Sequence, residues 1–406
     1  PASLDSSQPR IGIQYMINKD PALSHLLDLL AVEGLTGKES KVVAAITKKL
    51  VAAGCKKTWI NTDNAHKRLG DGYEIGNLIV KLPGTIKAPR IMFSAHMDTV
   101  PLCKGAVPIV KGSRIVAKGN TGLGGDDRSG CAAIVTLAET LLKNKIPHPP
   151  ITLLFPIAEE NGLHGSRVVR FPDLGNPAMG FNLDGQCPNE IVIGAMSATR
   201  WEATITGIST HAGLEPHKGI SAGLIGAKAM AAVAEKGYFG KITKGNRTGT
   251  SNLGSVNGGE VCNQVMDSCI MTGECRSHSP AFLEQIVKVY KTSFGQAAKS
   301  IANDKGKRGK VKFTTINDYH AFRLKKSEAC VKIASQAVVA TGKKPNPLVM
   351  DAGLDANNFN EKGLPTVTLG TGSHKFHQIE EYVDIKEYLV VCEVLLNIVR
   401  FTAGSH

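Results

Sequence analysis

The stretch ITLLFPIAEENG, residues 151–162, joins an apolar run to two adjacent carboxylates. The run from Ile151 to Ala158 is typical of a buried β-strand, and it ends at Glu159 and Glu160, which an Asn-Gly pair follows. Burying a carboxylate without a partner is costly. The two acids therefore indicate either a positively charged partner at the end of this strand or a solvated strand end.

Strand-like and helical segments alternate on both sides of this stretch. IMFSAH (residues 91–96) and GFNLDG (180–185) are short apolar strands, and SGCAAIVTLAETLLKNK (129–145) has the pattern of a strong helix. Nearer the N-terminus, DPALSHLLDLLAVEG predicts a helix with Asp20 as its N-cap. Strands that alternate with long helices predict an α/β layered domain with a mostly parallel sheet.

The pattern changes near Ser197. From there to about Asp318 the segments follow the order β-α-β-β-α-β, beginning with the alternating strand ATRWEATITG and closing with GKVKFTTIND. This order predicts a small α+β domain of the ferredoxin type. After this region, a helix, a strand and a helix resume the α/β pattern of the first part of the chain. We therefore expect one α/β domain, residues 1–196 and 319–406, interrupted by an inserted domain, residues 197–318.

Composition excludes several classes of protein. The net charge is +13, but the positive residues are scattered except in residues 303–312, and only 5% of residues are aromatic. A base-stacking surface is therefore not expected, nor is nucleic acid as a partner, and the charge indicates a solvated basic surface or attraction of carboxylate-bearing substrates. No window approaches the ~18 apolar residues of a membrane helix.

Nine cysteines occur without a C-x-x-C pair, an odd number that fits neither a disulfide framework nor a thiolate zinc site. We expect most of them to be buried in a protein of a reducing compartment, the cytoplasm. The N-terminal PASLDSSQPR has no signal-peptide pattern and no initiator Met, so it is compatible with trimming.

Candidate metal ligands follow the apolar strands or lie in glycine-rich connections. His96 and Asp98 lie two apart in SAHMDTVP, and Asp126 and Asp127 precede the helix of residues 129–145. Each has an ordinary alternative, because a loop histidine is usually structural and acids before a helix are common N-caps.

Two further motifs belong with these candidates. Asp184 ends the strand in NLDG, where an Asp-Gly turn is the alternative, and His374 and His377 follow LPTVTLG. Active sites of open α/β sheets form at the carboxyl ends of strands. Taken together, the candidate ligands at such positions are His96, Asp126, Glu160, Asp184 and His377.

Mixed imidazole and carboxylate ligands suit zinc or a similar divalent ion. Five ligands exceed the three that one catalytic zinc usually takes from protein, so a dinuclear site with a bridging carboxylate fits better. One acid of the Glu159–Glu160 pair can then bind metal while its neighbour acts as a general base.

The ordered motifs SAHMDTVP, GGDDRSG, AEENGLHGS, NLDG, THAG, NGGEVCNQV, GECRSH, GLDANNFNEKGLPTVTLG and HQIEEYVDI cover nearly the whole chain. In this order they resemble the M20 family of metallopeptidases, the group of peptidase T, carboxypeptidase G2 and succinyl-diaminopimelate desuccinylase, and most closely the peptidase T-like tripeptidases. The resemblance implies a zinc-exopeptidase-like catalytic domain, residues 1–196 and 319–406, and an inserted lid and dimerisation domain, residues 197–318.

The resemblance also implies metal roles for individual residues. His96 and Asp184 are expected to bind one metal ion, Glu160 and His377 the other, and Asp126 to bridge them. A cis peptide between Asp126 and Asp127 is common in the family. His377 is preferred to His374 because the family spaces its histidine four positions before a glutamate, here Glu381.

Catalytic and substrate-binding roles follow from the same resemblance. Glu159 is implied as the general base and acid, and Asp98 as the residue that orients His96 or modulates the metal. In the inserted domain, His211 resembles a residue that holds the scissile carbonyl oxygen, often across a dimer. Asn263 and Arg276 resemble groups that bind a substrate carboxylate, although Arg276 could instead be a surface arginine paired with a nearby acid.

Three residues depart from the family pattern. Arg128 stands where lysine is commoner, and Ala352 and Leu354 stand where many relatives have glycine and threonine or serine. The last two lie in a loop that is near the substrate in the family, so they bear on specificity.

The expected function is hydrolysis of short peptides by an aminotripeptidase-like exopeptidase with two divalent ions, zinc or alternatively cobalt or manganese. The expected partners are a short peptide substrate and a second copy of the chain in a homodimer. Alternatives are an M20 deacylase or carboxypeptidase, acting on N-acyl amino acids or C-terminal residues, and a non-catalytic binding protein with the same fold.

Overall fold

Helices and strands alternate along most of the chain, in a computed structural model that describes residues 16–404. The N-terminal PASLDSSQPR segment lies outside the described residues. The α-helices in the described part are α1 (Lys19–Leu30), α2 (Ser40–Ala52), α3 (Ala65–Leu69), α4 (Gly125–Lys143), α5 (His164–Val168), α6 (Phe171–Leu174), α7 (Ala222–Glu235), α8 (Pro280–Ser300), α9 (Ala329–Val339), α10 (Asp355–Glu361) and α11 (Ile385–Ala403).

The strands of the same part form three sheets. They are β1 (Ile60–Thr62), β2 (Leu78–Leu82), β3 (Ile91–Ser94), β4 (Pro108–Lys111), β5 (Arg114–Ala117), β6 (Ile151–Phe155), β7 (Met179–Gly185), β8 (Glu190–Ala195), β9 (Ser197–Thr206), β10 (Gly240–Lys244), β11 (Arg247–Gly258), β12 (Ser268–Ser277), β13 (Lys310–Tyr319), β14 (Phe322–Arg323), β15 (Asn346–Met350), β16 (Thr366–Gly370), β17 (Ser373–His374) and β18 (Tyr382–Asp384).

The largest sheet has nine strands in the order β1-β2-β6-β3-β7-β16-β8-β14, with β15 beside β8. Its central strands β6, β3, β7 and β16 run parallel, and antiparallel pairs flank them. Side chains of β3 show why helices cover both faces: Ile91 and Phe93 join the main core with α1, α2, α4, α9 and α11, whereas Met92 joins a second cluster with Phe359 of α10. The predicted α/β layered domain is confirmed.

A separate five-stranded antiparallel sheet contains the segments predicted as an α+β domain. Its strand order is β10-β11-β12-β9-β13, and α7 and α8 pack together on it. Without the edge strand β10, this is the strand order of a β-α-β-β-α-β ferredoxin-type unit, as predicted. Its core surrounds Trp201, whose ring lies 4.9 Å from that of Tyr290 and 5.8 Å from that of Phe313.

Some local predictions were wrong or incomplete. The N-cap of α1 is Asn18, not Asp20, because Asn18 has the extended backbone of a cap and its side chain accepts the Asp20 N–H at 3.3 Å. The hairpin strand β10 and the small sheet β17-β18-β5-β4 were not predicted. Among residues 16–404, each helix is too short or too polar to cross a bilayer.

Candidate metal centre

Four neighbouring parallel strands end at one edge of the large sheet and bring most of the predicted site residues there. His96 follows β3, Glu159 and Glu160 follow β6, Asp184 lies at the end of β7, and His377 comes after β16. Because these strands are adjacent and parallel, their carboxyl ends meet at the same place. The topology therefore gathers side chains that are up to 281 positions apart in the numbering.

One group of potential metal donors consists of His96, Asp126 and Asp184, with one ligand atom from each lying within 4.8 Å of the others. His96 Nε2 is 3.1 Å from Asp126 Oδ1 and 3.9 Å from Asp184 Oδ1. The other ring nitrogen, Nδ1, faces the Asp98 carbonyl oxygen at 3.1 Å and its carboxylate at 3.4 Å. A proton on Nδ1 therefore leaves Nε2 directed at the donor group.

A second group consists of Asp126, Glu160 and His377, again with donor atoms within 4.8 Å of one another. His377 Nε2 is 2.9 Å from Glu160 Oε2 and 3.4 Å from Asp126 Oδ2. Asp126 thus faces the first group through Oδ1 and the second through Oδ2. This is the arrangement that a bridging carboxylate requires.

The charge balance of these residues fits divalent cations. Burial, and then nearby carboxylates, raise the pKa of Asp184 and of Glu159 well above the usual range, and burial raises the pKa of Glu160 to about 7. Hydrogen bonds to Asp126 and Glu160 raise the pKa of His377 to about 10. Cations at this place would neutralise the carboxylates and take the place of the histidine protons.

The adjacent residues Asp126 and Asp127 make different contacts. The peptide bond between them is cis, as the family resemblance implies. Asp127 Oδ1 accepts the Gly130 N–H at 3.1 Å, a capping contact inside α4, at a kink where Asp126 and Asp127 have non-helical backbone angles. Glu381 accepts the N–H groups of Leu123 and Gly124 at 2.8 Å and that of Asp126 at 3.0 Å, and thereby holds the loop that presents Asp126.

Two buried carboxylates hold the turn that carries Glu159. Asp98 accepts the N–H of Glu159 through Oδ1 at 2.9 Å and that of Glu160 through Oδ2 at 3.2 Å. Glu39 accepts the N–H of Ala158 at 3.0 Å. Three consecutive backbone donors are thus anchored, and Glu159 Oε2 lies 3.9 Å from His96 Nε2.

Sequence reasoning missed Glu39 and its neighbour Thr36, whose hydroxyl donates to Asp98 Oδ2 at 2.7 Å. Glu39 immediately precedes α2 and is completely buried. An acid before a helix is an ordinary surface cap, so the sequence carries no signal that this one is buried beneath the turn that carries Glu159.

A cavity of about 210 Å³ opens beside the donor groups and is lined by Glu159, Glu160, His377 and residues of the five-stranded sheet. Arg276 lines it, in agreement with a substrate-binding role, but it also makes a bidentate ion pair with Glu274, both contacts measuring 2.9 Å. The alternative of an arginine paired with a nearby acid therefore also holds in this structure.

His211 and Asn263 do not reach this cavity. They are exposed neighbours on the inserted domain, where the Ala212 N–H donates to the Asn263 carbonyl at 2.8 Å. His211 Nδ1 accepts the N–H groups of Gly213 and Leu214 at 3.1 and 3.2 Å. The residues that line the cavity within the described chain do not include either side chain.

The three departures from the family pattern have different surroundings. Arg128 is buried and donates to the carbonyls of Val32 and Gly34 at 3.0 Å, so it fastens the segment after α1. Ala352 lines the cavity, whereas Leu354 is buried in an apolar cluster. Of the two loop positions, only Ala352 is therefore placed to contact a substrate.

A larger cavity, about 450 Å³, lies over the exposed face of the five-stranded sheet, around Glu202 and Thr272. It shares Arg200 and Glu274 with the smaller cavity but contains none of the clustered histidines and acids. Chemistry rather than volume therefore identifies the smaller cavity as the candidate site.

Comparisons with known proteins agree with this geometry. The model of peptidase family M20/M25/M40 matches residues 92–400. The uncharacterised protein YqjE of Bacillus subtilis is 30% identical over 389 residues, which are 96% of this chain and 100% of that protein. The solved structure of a tripeptidase from Staphylococcus aureus has 30% identity and a TM-score of 0.86, covering 96% of this chain and 99% of that chain. The solved structure of aminopeptidase PepT from Bacillus cereus has 30% identity and a TM-score of 0.82, covering 96% of this chain and 100% of that chain.

Proposed function

The chain belongs to peptidase family M20/M25/M40, and from this premise we propose that it is an aminotripeptidase-like metalloexopeptidase that hydrolyses short peptides. Two similar solved structures, at 30% identity each, are a tripeptidase and an aminopeptidase. The observation that carries the proposal is the pair of donor groups that share Asp126 beside Glu159.

We assign the ligands by these groups. His96 and Asp184 would hold one divalent ion, Glu160 and His377 would hold the other, and Asp126 belongs to both donor groups. The two imidazoles and three carboxylates suit zinc, and cobalt or manganese would find acceptable ligands too. When bound, the ions supply Lewis-acid activation of water and polarise the scissile carbonyl.

Glu159 performs the proton transfers in this proposal. It lines the cavity, and its backbone N–H is fixed by Asp98 at 2.9 Å. Its carboxylate takes a proton from the attacking water and delivers it to the nitrogen of the leaving amine. Asp98 orients His96 through Nδ1 and so serves as a positioning residue.

Arg276 binds the terminal carboxylate of the peptide. A guanidinium can hold a carboxylate with two parallel hydrogen bonds, the geometry it now makes with Glu274. The substrate therefore competes with an internal carboxylate for this arginine. The small volume of the cavity, about 210 Å³, favours short peptides.

The inserted domain, residues 197–318, is proposed as the lid and dimerisation domain, and residues 1–196 and 319–406 as the catalytic domain. His211 and Asn263 lie outside the cavity of their own chain, so in this proposal they act on the substrate bound by the partner subunit of a homodimer. All nine cysteines are free thiols, which supports a cytoplasmic location.

A deacylase or carboxypeptidase is the second candidate, because Arg276 would serve any substrate with a free terminal carboxylate. The deciding experiment compares tripeptides, dipeptides, N-acyl amino acids and C-terminal amides after loading with zinc, cobalt or manganese. We expect the highest kcat/KM for tripeptides with both termini free. Preference for N-acyl amino acids would replace the peptidase assignment, and binding without turnover of any substrate would indicate a binding protein.

Chelation tests the metal requirement itself. Metal analysis of undialysed protein should give about two divalent ions per chain, as expected for a dinuclear hydrolase. Removing them should abolish hydrolysis, and adding zinc, cobalt or manganese should restore it. Full activity of the metal-stripped protein would contradict the mechanism.

A further inference from the structure

A second kind of donor cluster shares no residue with the five proposed ligands. Cys187, His374 and Glu387 each offer one ligand atom, and these atoms lie within 4.8 Å of one another. His374 Nε2 is 2.6 Å from Glu387 Oε2. All three side chains are half-buried, so an ion from solvent can reach them while part of its surroundings is protein.

Three different elements fix these donors. Cys187 follows β7, His374 belongs to β17, and Glu387 lies in the first turn of α11. The ring of His374 stacks on that of Tyr382, with centroids 5.1 Å apart. The guanidinium of Arg114 lies over the Tyr382 ring, 3.9 Å from its centroid. The imidazole is therefore held in place rather than free to turn into solvent.

The loop that carries Cys187 packs directly on the segment before His374. The Gly372 N–H donates to the Gln186 carbonyl at 2.8 Å. A side chain at position 370 would place its Cβ 1.9 Å from the Cys187 carbonyl oxygen, so only glycine permits this approach. The thiol and the imidazole thus face each other because two backbone segments are in contact.

The simplest interpretation of this cluster is a His374–Glu387 hydrogen bond with Cys187 beside it. The surroundings of the thiol indicate more, because burial, followed by Glu190 and Glu387, raises its pKa. The sulfur therefore sits among carboxylates that disfavour a thiolate unless a cation is present. A divalent cation would favour the thiolate and release its proton to solvent.

We propose that Cys187, His374 and Glu387 form a third divalent-cation site, separate from the dinuclear centre and suited to zinc or a similar ion. Thiolate, imidazole and carboxylate together are a zinc-type ligand set. The proposed ligands of the dinuclear centre include no sulfur, so this site differs from it in chemistry as well as in place.

An ion at this site would crosslink two segments that also carry proposed ligands of the dinuclear centre. Cys187 lies three residues after Asp184, and His374 lies three residues before His377. His377 has a half-exposed side chain, 51% accessible, and a positive φ of 58°. Occupation of the third site should therefore steady the segment that presents the most exposed ligand of the dinuclear centre.

Cobalt gives a direct test, because a thiolate bound to Co²⁺ produces a charge-transfer absorption band in the near ultraviolet. We expect metal-free full-length protein to develop this band on titration with Co²⁺. Cys262→Ser, a change at an exposed cysteine of the inserted domain, should keep the band, whereas Cys187→Ser should lose it and His374→Gln should weaken cobalt binding at least tenfold. No band in the wild type, or a band that survives Cys187→Ser, would overturn the proposal.

Alkylation of the unsubstituted protein gives a second measurement that does not depend on how the variants fold. Saturating zinc should slow modification of Cys187 by iodoacetamide at least tenfold, measured by peptide mass spectrometry, and should leave Cys262 unchanged. Equal rates at Cys187 with and without zinc would refute the site. Cys187→Ser should retain the dinuclear ions and peptide hydrolysis, so a failure of this inference is distinct from a failure of the proposed function.

Discussion

The edge of the large sheet and the surface of the inserted domain place their candidate residues in different ways. Asp184 and Glu160 lie near the other metal donors because their strands are adjacent in one sheet. His211 and Asn263 are neighbours of each other, yet they lie outside the cavity of their own chain. Sheet topology brings the first set together, whereas the proposed role of the second set requires a partner subunit.

The strongest test of the sheet-edge assembly separates its two adjacent glutamates. Glu159→Gln should lower kcat by ~10²–10⁴-fold with both metals retained, because only the proton acceptor is lost. Glu160→Gln should instead reduce metal content, because its carboxylate belongs to a donor group. Turnover and metal content by elemental analysis check this, and equal metal loss in both variants would refute the assignment of Glu159.

Of the three inserted-domain residues predicted to bind substrate, Arg276 is the one that lines the cavity. Loss of one partner of a buried charge pair costs ~2–5 kcal/mol, so Arg276→Ala should lower kcat/KM on the order of 30- to 5000-fold. Arg276→Lys should keep only part of the wild-type kcat/KM, since lysine keeps the charge without the bidentate geometry.

Peptides ending in a free acid and in an amide provide the readout for Arg276. The wild type should strongly prefer the acid, Arg276→Ala should lose this preference, and Glu274→Gln should keep it. Equal wild-type rates on acid and amide would exclude carboxylate recognition by Arg276.

A mixing experiment sharpens the comparison for His211. His211→Ala and Glu159→Gln should each be nearly inactive alone, whereas a reassociated equal mixture should recover about a quarter of wild-type activity. This follows because about half of the dimers are mixed, and one of their two sites combines an intact Glu159 with the partner's intact histidine. Mixtures no more active than their components would remove His211 from the partner's site.

Glu39 gives the smallest expected effect, on stability. Burial, followed by the charge of Asp98, raises its pKa from 4.5 to about 7. The folded state therefore binds this proton more tightly than the unfolded state, and its contribution to stability is present below pH 4.5 and lost as the pH rises through 7, by at most ~1.4 kcal/mol per pH unit.

Glu39→Gln has no such proton to lose. Its melting temperature relative to wild type should therefore be higher at pH 8 than at pH 5, with metal-saturated protein used for both. The solvated Glu202→Gln provides a control that should show no such change. A difference that is independent of pH would contradict the assignment of the proton to Glu39.

Residues at strand ends could be predicted from sequence because an apolar run marks the strand and the next polar residues mark its end. The proximity of His96 and Asp184 could therefore be predicted from the sequence. Glu39 was missed because burial of a residue before a helix depends on what packs over it. The position of His211 could not be predicted either, since the strand pattern of the inserted domain does not specify how that domain faces the sheet.

The Glu381 carboxylate also bears on how the protein is made. It anchors the loop around Asp126, a residue 255 positions earlier in the chain. During synthesis on the ribosome, the loop that carries Asp126, the proposed bridging ligand, therefore gains this anchor only after the segment with Glu381 and His377 has been made. A nascent chain that has completed the inserted domain still lacks Glu381 and His377. Peptide hydrolysis should therefore begin only after this C-terminal segment has emerged and packed against the sheet.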